Sequence, residues 1–267
     1  MKARKPAGRK PKLHPSTPIP SGFNALIGVF ELAIASPPTE DRAWRLSEAT
    51  MNVWHFLEVL MEDPMSTQRL VNIARAIRSI TGEGRDMTEQ KLMEYLGELA
   101  RLCRQQIEDD GFAQPRAGFG SIGQIPPESR RCFEVLQCLC HYALDCLAYN
   151  KPHDSAIGRR RSIAFEILAE AVRVVDLPEV VALARKSLAK ANSPTVYGAL
   201  MFLQAYYVRD GWSLDDEVIE ELEALSERTH ARTIASSALN VLIEARVITD
   251  MDALGRMDEW KEKRWGR

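Results

Sequence analysis

The residues of this chain best placed to do chemistry are cations gathered at two sites. The first twelve positions hold Lys2, Arg4, Lys5, Arg9, Lys10 and Lys12 and no acid. Further on, Gly158 is followed by Arg159, Arg160 and Arg161. Clustered lysine and arginine neutralise phosphates and release counterions, so both groups are candidate nucleic-acid or phosphate contacts. The arginine triplet opens a helix expected from about position 155, where positive charge opposes the helix dipole. Such a local cost calls for an anion nearby: a phosphate, an acidic partner, or an acid on a neighbouring helix of the same chain. Without the six cations of the arm, the other 29 basic residues face 37 acidic ones, leaving the body at about −8.

Catalytic and metal chemistry have no comparable grouping. His14, His55, His141, His153 and His230 are isolated from one another in sequence. His55 stands among Trp54, Phe56 and Leu57 and reads as a core or boundary residue. The acid pairs Asp109-Asp110 and Asp215-Asp216 fall where acids serve loops and first helical turns. Five cysteines, an odd number, argue against a disulfide framework. Cys132, Cys138, Cys140 and Cys146 would scatter around one helix; Cys138 and His141 do share a face and could supply two metal ligands, with Cys103 or His153 from elsewhere. The cysteines read instead as small buried thiols in a reducing cytoplasm. Gly118 to Gly123 spells the dinucleotide fingerprint, but that loop works between a strand and a helix. Here it follows a helix end and runs into Pro126-Pro127. The expectation is therefore no catalytic residue, no cofactor and no metal, in a protein that is not an enzyme.

The elements that position these groups are expected to be helices. Residues 1–22 carry five prolines among basic and small residues and read as a disordered arm. The apolar stretch from Phe23 to Ala35 imitates a secretory signal, but Glu31 interrupts it and the basic region before it is long and proline-rich. No apolar run is long enough to span a membrane. From Phe23 onward the apolar period is helical. It predicts helices at about 23–35, 40–62, 65–80, 87–108, 127–149, 155–175, 178–190, 195–209, 214–227, 231–247 and 250–261. Asp63-Pro64, Asp176 ahead of Pro178, and Ser193-Pro194 look like helix entries. Asp86 with Glu89, and Ser213 with Asp216, have the spacing of capping boxes, and Thr229 and Thr249 look like further caps. The organisation expected is an arm over 1–22, a helical region over 23–109, a Gly/Pro-rich connector over 110–126 and a second helical region over 127–267.

A small pattern recurs along this chain: a small or apolar residue, a larger apolar residue three on, and leucine four on. It begins at Val53, Leu92, Cys132, Ala164, Ala199 and Ala238. Intervals of 32 to 40 residues are those of helical repeat arrays. The last six predicted helices fall into pairs, the first member apolar all round and the second one-sided. Residues 155–262 resemble HEAT or armadillo repeats, which implies an all-α superhelix without a sheet and a face used for protein partners. The stretch from Gly8 to Lys12 resembles an AT-hook, although Lys10 separates Arg9 from Pro11. Three functions are then expected in order. The first is a non-enzymatic scaffold that binds a protein partner through its C-terminal repeats. The second is a nucleic-acid-associated protein using the arm and Arg159 to Arg161. The third, by fold analogy alone, is a DNA glycosylase-like enzyme.

Overall fold

The computed structural model of the chain describes residues 22–111, 127–149, 156–191, 193–209 and 214–266. The basic arm, the Gly118–Gly123 loop and His153 therefore lie outside the described residues. The described residues are α-helical with no strand among them. The helices are α1 (Phe23–Ala35), α2 (Glu40–Asn52), a 3-10 turn (Val53–Phe56), α3 (Leu57–Glu62), α4 (Pro64–Ser79), α5 (Arg85–Asp109) and α6 (Pro127–Ala148). They continue as α7 (Ile157–Ala171), α8 (Pro178–Leu188), α9 (Pro194–Arg209), α10 (Asp216–Arg228), α11 (Arg232–Glu244) and α12 (Asp250–Trp265).

Local chemistry accounts for many of the boundaries. The Asp63 side chain accepts from the Met65 N–H at 3.0 Å, and Pro64 at the first helical position loses no needed donor. Thr249 and Asp252 form a reciprocal capping box at the start of α12. Other expectations are corrected. The helix expected over 40–62 is broken at Val53–Phe56, a run of four weak helix formers. The tightened turn carries Phe56 to Phe23, 5.8 Å between ring centroids, and Trp54 to Tyr95, 6.0 Å. His55 in that turn is exposed. The Asp86–Glu89 capping box does not form. Helix α5 begins two residues earlier than expected, at Arg85 after Gly84, whose φ of 78° suits glycine. A Cβ there would stand 3.2 Å from that of Ala43, so the same glycine lets the α4–α5 turn pass close to α2.

Two rows of helices build the body. Helices α5, α7, α9 and α11 pack side by side, and α4, α6, α8, α10 and α12 lie against them. Helices α1 to α3 close one end against α4, α5 and α6. Cross-links from α4 to α6, α5 to α7, α7 to α9, α8 to α10 and α10 to α12 climb both helices in the same direction, so these neighbours run parallel. Gln68 meets Cys138 and Arg75 meets Asp145, each 70 residues on; Glu89 meets Arg160, 71 residues on. Past α7 the step halves: Gly158 to Thr195 is 37 residues, Arg185 to Glu221 is 36, Gln204 to Glu244 is 40 and Glu227 to Arg264 is 37. The recurrent sequence pattern is thereby re-sorted. Leu92, Ala164, Ala199 and Ala238 all sit in the first row, whereas Cys132 belongs to α6 of the second. The 40- and 32-residue intervals flanking Cys132 together make one structural step.

Burial follows from this layering. One cluster of buried apolar side chains runs from Phe23 to Ala253. The contact between α7 and α9 is the closest in the row, and Gly198 makes it so: an added Cβ would lie 2.3 Å from the Ser162 carbonyl oxygen. One turn further along, Phe165 and Phe202 face each other at 6.3 Å.

Candidate binding cleft

Glu89 and the arginine triplet meet at the start of α5 and α7. Glu89 is 2% exposed and turns inward from the first turns of α5. Its two carboxylate oxygens accept from Arg160 Nε at 2.9 Å and Arg160 Nη2 at 2.8 Å. Arg78, at the end of α4, donates from Nε to the same carboxylate at 2.6 Å. Its Nη2 reaches Tyr142 Oη at 3.1 Å and Cys146 Sγ at 2.9 Å, both on α6. The Tyr149 ring lies 5.2 Å from the Arg78 guanidinium and 5.1 Å from that of Arg160. Burial works against the charge on Arg78, but Cys146, Tyr142 and Glu89 outweigh it and hold the guanidinium protonated more firmly than a free arginine. Burial likewise pushes the Tyr142 phenol well above its ordinary range. Four helices are thus tied together by charge-assisted hydrogen bonds inside the core.

Beside this network a cleft of about 400 Å³ opens between the first turns of α5 and α7. Asp86, Met87, Gln90 and Met93 line one wall and Arg159 and Ile163 the other, with the Glu89–Arg160 pair also in the lining. Met87 is 80% exposed at the rim. Arg159 is the exposed member of the triplet, and its guanidinium stands 3.7 Å from Glu94, too far for a hydrogen bond. Burial works against the Glu94 carboxylate, but hydrogen bonds from Gln90 and Lys91 and the charges of Lys91 and Arg159 hold it below the usual range.

The three arginines expected to act as one patch are therefore divided. Arg159 faces solvent, Arg160 is buried on Glu89, and Arg161 donates to the Tyr149 carbonyl oxygen at 2.9 Å. Of the anions that the triplet could have met, an acid of a neighbouring helix is the one Arg160 finds. Nothing in the sequence marks Glu89, Arg78 or Tyr149 as site residues: the spacing of Glu89 is that of a cap, and its partner on α7 lies 71 residues away with no local pattern to link them.

A second surface follows the first row. On α9, Tyr197 and Met201 are exposed, at 43% and 36%. Gln204 beside them donates to both Glu244 oxygens of α11 at 2.9 Å. On α7, the Glu166 carboxylate accepts from Ser162 Oγ at 3.2 Å. On the opposite row, Arg185 holds Glu217 and Glu221, so two acids of the α10 face are engaged within the chain. Cys138 donates to the Gln68 side chain at 3.2 Å, and His141 on α6 is exposed. Among the described residues no three His, Cys, Asp or Glu side chains gather as a metal site, and no helix is long and apolar enough to cross a membrane. No family, curated protein or solved structure matches the chain in comparison.

Proposed function

We propose that this chain is a non-enzymatic helical-repeat scaffold of the HEAT or armadillo kind, which holds a protein partner on the face of α7, α9 and α11. The observation that carries the reading is the parallel stacking of same-row helices at a recurring interval of 33 to 40 residues past α7. An array built this way buries each helix pair against its neighbours and leaves an extended row face in solvent. Tyr197 and Met201 supply apolar anchors on that face, and Gln204 with Glu244 of α11 supplies polar and negative groups beside them. Amphipathic side chains ringed by polar groups are the composition of an interface centre. The fitting partner is a polypeptide carrying apolar anchors and cations.

The reading is tested by photo-crosslinking from position 204, with the Tyr197→Glu/Met201→Glu protein carrying the same crosslinker as control and with nuclease treatment in parallel. A protein crosslinked by the parent, lost in the double variant and indifferent to nuclease supports it. Crosslinks that the double variant leaves unchanged, or that nuclease removes, overturn it. For the nucleic-acid reading, the body of the chain supplies one exposed arginine of the triplet, Arg159. Binding through six or more cations would weaken about 10³-fold between roughly 50 and 200 mM salt.

A further inference from the structure

We propose that the cleft between the first turns of α5 and α7 binds a small amphipathic anion, a carboxylate or phosphate head on a short apolar body. This goes beyond the scaffold reading and does not depend on it, because neither Tyr197 nor Met201 lines the cleft.

Size is the first argument. A volume of about 400 Å³ is that of a small-molecule site, for which roughly 300–1,000 Å³ is usual. The lining is the second. Met87, Met93, Ala156 and Ile163 offer an apolar surface, and the other five lining residues are polar or charged. Methionine adapts its shape to an irregular body better than branched side chains do.

Charge decides the sign of the ligand. Of the acids in the lining, Glu89 is bridged by Arg78 and Arg160, and Asp86 is paired with Arg85. Arg159 differs. Its side chain is 63% exposed, and its guanidinium makes no hydrogen bond among the described residues and has Glu94 only at 3.7 Å. Its donors are therefore free to take a carboxylate or phosphate oxygen, and the forked geometry suits either. The positive ends of the α5 and α7 dipoles flank the same space and favour an anion there.

The experiment is calorimetric titration of the full chain with decanoate, octyl phosphate and neutral 1-decanol. Decanoate and octyl phosphate distinguish the two heads, and decanol removes the charge. One saturable site per chain is expected for at least one anion, with Kd below about 1 mM. Arg159→Glu should weaken it about tenfold or more, and Gln90→Trp, which fills the cleft from its rim, should weaken it similarly. Both positions are at the surface or partly exposed, and unchanged helical circular dichroism and melting confirm that the variants fold. Absence of saturable binding by either anion, decanol binding as tightly as decanoate, or parent-like binding by either variant overturns the proposal.

Discussion

Arg160 reaches back 71 residues to Glu89 and takes both of its oxygens, at 2.9 and 2.8 Å, where neither side chain meets solvent. A carboxylate held by two guanidinium groups in the core is a weak source of net stability, but its removal leaves buried cations behind. Glu89→Ala should therefore cost about 3–5 kcal/mol. Arg159→Ala, one residue before Arg160 but exposed, should stay within about 0.5 kcal/mol. Denaturant midpoints compare the two, and equal effects would contradict the assignment.

Gly198 is required by contact rather than by backbone freedom. Gly198→Ala places a methyl against the Ser162 carbonyl and must part α7 from α9, at a cost of about 1–3 kcal/mol or more. Gly255, in the middle of α12, has no atom within 4 Å of an added Cβ. Gly255→Ala should instead stabilise by about 0.5–1 kcal/mol, because alanine is the better helix former. Thermal melts of the pair should move in opposite directions.

Leu203 and Leu242 occupy equivalent places on α9 and α11, both fully buried. Truncation of either to alanine should cost about 2–5 kcal/mol, the range for emptied leucine sites. An unchanged urea midpoint would mean that the row packing is misassigned.

Glu166 sets a pH dependence. Burial pushes its carboxyl above the ordinary 4.5; Ser162 and Arg159 draw it down and Glu94 on α5 pushes it further up. The folded chain therefore keeps this proton to higher pH than the unfolded one. Its contribution to stability is complete below about 4.5 and falls as pH rises through the folded value. Glu166→Gln should flatten the decline of stability above pH 4.5. Unfolding curves across that range test it, and a slope identical to the parent's would remove Glu166 as the cause.

How much of this was legible beforehand differs from element to element. The first helix was placed at Phe23–Ala35 because its apolar residues recur at the helical period and a proline-rich segment precedes it. The α4 entry was legible because Asp63 and Pro64 act on the backbone within two residues of themselves. Glu89 misleads for the same reason: a glutamate three residues after an aspartate looks local, and here its partners are not. The patch at Arg159 to Arg161 was visible as charge and invisible as three different fates. Successive residues on a helix point about 100° apart, and only the neighbours decide what each one meets.

By itself the sequence determined the helical character of the chain, helix entries such as Asp63-Pro64 and Thr249, and the identity of core residues such as Leu203 and Leu242. Those follow from interactions within a turn or two, which any short window contains. Tertiary structure alone decided that same-row helices run parallel, that the step between them is about 70 residues before α7 and about 37 beyond it, and that Glu89 is buried beneath Arg160 while Arg159 borders an open cleft. Those relations join side chains dozens of residues apart. They come into being only when helices pack, because burial turns a surface charge into one that must find its counterpart.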